Sequence, residues 1–279
     1  MRRPSRLLPL AALLLVSGPA AGAGGSEAEL ARVRGLYLDV MARTLTDLIY
    51  ENHPQVREQL AGDVSLAEIL AGAEYDYPVR AHTMIGLTRL ANIRKLVEDV
   101  LAKDVPGDLL EAGAWRGGAT IYMRAVLAAH DVRDRTVWVA DSFEGLPPPD
   151  PERYPADAGL DLHENQNLAV SLEEARRNFE RYGLLDDQVK FLKGWFKDTF
   201  PTAPIEKLAV LRLDGDLYAS TMDSLVPLYS KVASGGYVIV DDYKIIPACR
   251  KAVDDYRAEH GITAPLVDVD WNAVYWRKP

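Results

Sequence analysis

From residue 108 onward, short apolar runs alternate with longer stretches whose apolar positions recur at helical spacing, and this alternation constrains the fold more than any other feature. The runs at 108–113, 136–140, 188–193, 207–213 and 237–240 read as strands. The stretches reaching 129, then 171–182, 218–231 and 247–260, read as helices. Strands that alternate with helices build a mostly parallel sheet covered on both faces. The last two strands, 266–270 and 273–276, lie too close together for a parallel crossover and predict an antiparallel hairpin at the sheet edge. Upstream, Val33, Leu36, Val40, Leu45 and Leu48 mark a helix over 27–50 that Asn52-His53-Pro54 stops. A second helix over 83–103 turns Ile85, Leu90, Ile93, Leu96, Val97 and Val100 inward, and Pro106-Gly107 closes this helical cap.

With 279 residues, 48% of them hydrophobic and 26% charged, the chain has enough apolar surface for a single large domain. A net charge of −9 argues against a nucleic-acid partner, which requires clustered lysine and arginine. Cys249 is the only cysteine, so an internal disulfide and a thiolate zinc cluster are both excluded. The 5 histidines show no metal-ligand spacing. Residues 1–35 form a leader, either signal-like or unstructured: Arg2, Arg3 and Arg6 precede an apolar stretch at 7–16 and the small residues Ala20-Ala21-Gly22-Ala23. The stretch is short of the roughly 20 residues that cross a bilayer, which argues against a membrane anchor.

Two of the strands end in acids: Asp214-Gly215-Asp216 follows 208–213, and Asp241-Asp242 follows 237–240. Ligands of open α/β sheets bind outside the carboxyl ends of the strands, and neighbouring strands are only about 5 Å apart. Carboxylates brought that close repel one another unless a cation lies between them, which predicts an all-oxygen divalent metal site. The connection at 142–170, rich in proline and acid, falls at the ligand end of the second strand and reads as a lid.

A glycine-containing turn, Glu111-Ala112-Gly113-Ala114-Trp115-Arg116-Gly117-Gly118, joins the first core strand to its helix. It lacks the G-x-G-x-x-G arrangement that seats a pyrophosphate, so NAD is disfavoured. The leading acid suits a ligand with an ammonium group and no phosphates, or else caps the helix. Asp141, at the end of the second strand, is placed to accept hydrogen bonds from a ribose, or else is a turn acid.

Ala81-His82-Thr83-Met84-Ile85-Gly86, Trp115-Arg116-Gly117-Gly118-Ala119, Ala140-Asp141-Ser142-Phe143-Glu144-Gly145, Gly194-Trp195-Phe196-Lys197-Asp198-Thr199 and Leu213-Asp214-Gly215-Asp216 occur in order along the chain. Together they resemble the macrocin O-methyltransferase family over about 36–278. The resemblance implies a class I methyltransferase domain at 36–279, with a cap at 36–106, a Rossmann-like core at 107–279 and the lid at 142–170. It also implies S-adenosylmethionine as donor, a magnesium ion, and a sugar hydroxyl of a macrolide-type or aminocoumarin-type glycoside as acceptor. By the same resemblance, Asp214, Asp241 and Asp242 are the metal ligands, with Asp214 also serving catalysis and Asp216 the candidate base. Thr83, Met84, Glu111, Gly113, Asp141 and Ser142 hold the donor, and Trp195 either contacts the adenine region or belongs to the core. Spacing agrees for Asp214 and Asp216, since residues two apart on a strand face the same side. His163 and Tyr243 read as solvated groups rather than substrate contacts. A dimer or larger homo-oligomer is also implied.

Two rivals are a metal-dependent glycosyltransferase, because Asp214-Gly215-Asp216 also fits an Asp-x-Asp element, and a secreted binding module without catalysis. No basic pair is placed to neutralise a nucleotide diphosphate, and the acids and donor turn are intact. Because the donor is made inside cells, the cytoplasm is expected rather than export. Fractionation of the source cells should therefore find the protein inside them, and a cleaved form in the medium would refute this.

Overall fold

The computed structural model describes residues 26–49 and 80–279, so the predicted leader up to 25 and the Asn52-His53-Pro54 stop lie outside the described residues. Helix α1 (Glu27–Leu45) starts upstream of the expected boundary at 35, where the Ser26 hydroxyl accepts a hydrogen bond from the Glu29 amide at 3.2 Å. After α2 (Gly86–Ala102) come β1 (Asp108–Ala112), α3 (Gly118–Ala129), β2 (Val137–Asp141), α4 (Leu172–Arg181), β3 (Val189–Lys193) and α5 (Phe196–Thr199). The chain continues through β4 (Leu208–Leu213), α6 (Tyr218–Leu228), β5 (Val232–Val240), α7 (Pro247–Glu259), β6 (Val267–Asp268) and β7 (Val274–Arg277).

The strands form one 7-stranded sheet in the order β3-β2-β1-β4-β5-β7-β6. β1 to β5 run parallel, while β7 is antiparallel to both β5 and β6, giving the predicted hairpin edge. From β1 the chain builds outward to β3, then returns to place β4 on the other side of β1. This reversal opens a crevice between β1 and β4 at their carboxyl ends.

Side chains alternate between the faces as strand geometry requires. Leu109, Val139, Val210 and Ile239 face a core shared with α1 to α4. Leu110, Ala140, Leu211 and Val238 face a second core under α6 and α7. Burial on both faces explains why these strands read as continuous apolar runs.

Register levels the functional ends. Ala112 pairs with Leu213 and Leu213 with Val240. The ladder extends one residue further, because the Asp214 amide donates to the Ala112 carbonyl at 2.8 Å and the Asp241 amide to the Leu213 carbonyl at 2.9 Å. Gly113, Asp214 and Asp241 thus stand side by side.

The structure corrects or refines the sequence reading in α1, in β5 and in the lid. In α1 the buried residues are Leu38, Met41, Ala42 and Leu45, whereas Val33, Leu36 and Val40 are exposed. Helical periodicity identifies an apolar stripe, but rotation is set by contacts with other helices: the Arg34 side chain donates to the Ala129 carbonyl at the end of α3 (2.8 Å). β5 begins at Val232, before the predicted 237, because Gly235-Gly236 at a register shift disguises its first half. The lid contains 3-10 turns at Pro155–Asp157, Leu162–Glu164 and Gln166–Leu168, and Leu160 and Leu162 anchor it in the second core.

Gly113 shows how closely the strand ends meet. Its φ is +93°, and a Cβ there would lie 1.7 Å from the Asp214 carbonyl oxygen. Gly113→Ala should therefore destabilise the protein by at least ~2 kcal/mol, seen as a lower thermal midpoint; an unchanged melt would contradict this packing.

Candidate active site

A cavity of about 450 Å³ occupies the crevice at the carboxyl ends of the central strands. Gly113, Asp141, Asp214 and Asp241 form part of its floor, the lid from Gly145 to Tyr154 covers it, and Met84 and Arg89 reach it from the cap.

Beneath the floor lies Arg212, 1% exposed, in the middle of an otherwise apolar strand. Its Nη1 donates to Glu111 and, at 2.8 Å, to Asp214; its Nη2 donates to Asp241. The other oxygen of Asp241 accepts from Arg89, which also donates to Asp270 at 2.8 Å and lies over the ring of Trp271. Buried charge in this density is tolerated only with such pairing. Burial pushes the Glu111 carboxyl up to about 8, while the Arg212 guanidinium pulls it down.

Each of Asp214, Asp241 and Asp242 offers an oxygen within 4.8 Å of the others, close enough to share one ion. Asp242 Oδ2 is buried and has no hydrogen-bond partner among the described residues. An unpaired buried carboxylate oxygen costs free energy, and a cation is the natural complement. Burial and the neighbouring acids Asp216, Asp214 and Asp241 raise the Asp242 pKa well above its ordinary value. This all-oxygen donor set fits a hard cation such as magnesium, which accepts carboxylate oxygens and keeps positions for others.

Asp216 lines the same cavity, but strand alternation is not the reason. β4 ends at Leu213, and Asp216 lies in a following turn at φ +59°, the left-handed region. That conformation is uncommon for a non-glycine residue and tends to occur at functional sites. Burial, then Asp214 and Asp241, push its pKa up to about 8.

On the other half of the cavity, Asp141 shapes the glycine turn. Its Oδ2 accepts from the Ala114 amide (2.8 Å) and the Trp115 amide (3.0 Å), and its Oδ1 from the Phe143 amide (2.7 Å). Ser142 Oγ donates to the Gly145 carbonyl at 2.6 Å and accepts from the Glu144 amide at 3.0 Å, fixing the start of the lid. Trp195 precedes α5 and lines the cavity. Thr83 and Glu111 do not line it: Thr83 is buried, its Oγ1 accepting from the Ile85 amide at 3.4 Å, and Glu111 Oε2 accepts from the Thr120 amide at 3.1 Å in the first turn of α3. Met84 reaches the wall because its loop packs on the start of α3, where a Cβ on Gly118 would lie 2.3 Å from the His82 carbonyl oxygen. Sequence reasoning missed Arg212, Arg89 and Asp270. A lone arginine in the apolar run 208–213, and another on the buried face of α2, were the available signals.

A parallel sheet of this order with its C-terminal hairpin, and a cavity at the strand reversal, define a class I methyltransferase fold. The Macrocin-O-methyltransferase (TylF) family matches residues 40–278, and the chain belongs to it and is an O-methyltransferase. It is 56% identical over 245 residues to demethyldecarbamoylnovobiocin O-methyltransferase of Streptomyces niveus, covering 87% of this chain and 93% of that one. It is 54% identical, over 88% of this chain and 93% of the relative, to 8-demethyl-8-(2,3-dimethoxy-alpha-L-rhamnosyl)-tetracenomycin-C 4'-O-methyltransferase of Streptomyces olivaceus. The solved structure of the O-methyltransferase NovP superposes with a TM-score of 0.78 at 54% identity, over 88% of this chain and 99% of that one. This membership replaces the glycosyltransferase and binding-module readings. No helix among the described residues is long and apolar enough to cross a membrane.

Arg212→Met leaves Glu111, Asp214 and Asp241 without their shared cation. It should cost about 3–5 kcal/mol in denaturant titration, and Lys at this position should not restore stability, because a single ammonium does not reproduce the guanidinium fork.

Proposed function

We propose that this enzyme transfers a methyl group from S-adenosylmethionine to a sugar hydroxyl of a glycosylated natural product, with magnesium held by Asp214, Asp241 and Asp242. The observation that carries this reading is the meeting of those carboxylates, one oxygen of Asp242 buried and unpaired, beside Asp216 in a single cavity. The rhamnosyl group in the name of the tetracenomycin enzyme supports a sugar acceptor. When bound, magnesium supplies the positive charge that lowers the pKa of an acceptor hydroxyl. S-adenosylmethionine supplies the electrophilic methyl group.

The chain's own residues do the remaining work. Gly113, Asp141, Ser142 and Trp195 form the donor side, with Met84 closing from the cap and Thr83 and Glu111 supporting it from behind. Asp216 takes the acceptor proton; burial and the neighbouring acids push its pKa up to about 8, which strengthens it as a base in its ionised form. The lid excludes water, and the cavity walls hold the reacting groups in contact, which is the main source of rate for a direct displacement. The exposed Leu30, Val33, Leu36, Tyr37 and Val40 on α1 favour a homo-oligomer. The need for the donor favours the cytoplasm.

Labelled-methyl transfer to a panel of glycosides, with and without chelator, tests this reading. Chelator should abolish turnover, and Asp216→Asn should lower kcat by about 100-fold or more. Magnesium should raise the thermal midpoint of the parent but not of Asp242→Asn. Full turnover in chelator would overturn the metal assignment.

A further inference from the structure

Asp157 lies in the lid yet is 0% exposed. Its Oδ1 accepts from the Tyr218 amide at 2.6 Å and its Oδ2 from the Ala219 amide at 3.0 Å. Those amides open α6, whose own N-cap residue, Leu217, provides no side-chain acceptor. The first amides of a helix have no partner within it, and the helix dipole favours a negative charge at that end. A carboxylate from a distant segment therefore performs the task a Ser or Asp at the N-cap normally would.

The helix capped in this way directly follows the turn that carries Asp216. The Leu217 amide donates to the Gly215 carbonyl at 2.6 Å, and a Cβ on Gly215 would lie 3.1 Å from Ser220 Cβ, so the turn rests on the first residues of α6. On the lid side, the Asp157 amide donates to the Tyr154 carbonyl at 2.9 Å, and the rings of Tyr154 and Tyr218 approach to 5.8 Å. Tyr154, Leu217 and Ala219 all line the cavity. Burial raises the Asp157 pKa, opposed by the two α6 amides, as expected for a carboxylate enclosed by its donors.

We propose that Asp157 is a positioning residue that caps α6 from the lid, so that seating the lid also sets the turn bearing Asp216. This inference rests on the proposed role of Asp216 as base, but the clasp itself is testable without turnover.

The test uses the full chain with Asp157→Ala, Asp157→Asn and, as a charge control in the same lid, the exposed Asp161→Ala. Trypsin cleavage after the exposed Arg153 reports lid opening, and hydrogen exchange in peptides covering 214–221 reports the turn and first helical residues. In Asp157→Ala both should accelerate, by about fivefold for loss of a cap, with Asp157→Asn intermediate and Asp161→Ala like the parent. Methyl transfer should show reduced kcat in Asp157→Ala, with donor affinity by calorimetry unchanged. Parent-like cleavage and exchange in Asp157→Ala would overturn the clasp. Faster cleavage with unchanged exchange in 214–221 and unchanged kcat would overturn the positioning role. If the parent methylates no glycoside, the proposed function fails, while the cleavage and exchange results still decide the clasp.

Discussion

One guanidinium organises this molecule. Arg212 enters the sheet from within β4 and binds acids belonging to β1, to the residue after β4 and to the residue after β5. A buried cation without partners is far costlier than one with them, so the strand ends are held at the level that satisfies it. Arg89 extends the network, joining the cap helix α2 to Asp241 and to Asp270 at the hairpin. Cap, sheet and edge are thus tied together through charged groups at the cavity floor.

This pairing also divides the acids by how fully the arginines engage them. Glu111 is enclosed by Arg212 and the first turn of α3, and it supports the floor without reaching the cavity. Asp241 has both oxygens engaged by arginines, whereas Asp242 keeps one oxygen buried and unpaired. Burial first, and then the negative charge of the neighbouring acids, raises the pKa values of Asp214, Asp216 and Asp242 and makes a cation the fitting complement. One side of the cavity is shaped by main-chain amides gathered around Asp141, a carboxylate that the sequence offers either as a ribose acceptor or as a turn acid.

The elements of the core were legible because each depends on local periodicity. Strands buried on both faces read as apolar runs, and α2 showed its inward face residue by residue. The acids after β4 and β5 were legible as strand-end groups, and register brings Asp214 and Asp241 to one level. The face of α1 was legible only at Leu45, because Leu38 and Met41 compete with Val33, Leu36 and Val40, and contact with α3 decides between them. Nor was the reason Asp216 faces the cavity: a left-handed turn, not strand alternation, directs it.

By itself, the sequence determined the alternating α/β core, the edge hairpin, the covered glycine turn and the presence of acids at strand ends, since these follow from spacing within a few residues. The tertiary structure alone decided that Arg212 would gather three of the acids, that Arg89 would reach Asp241 from the cap, and that Asp157 would cap α6. Such partners are distant in the chain, and nothing in local spacing specifies them. They are selected when the packed interior brings complementary groups within hydrogen-bonding reach of each buried charge and helix end.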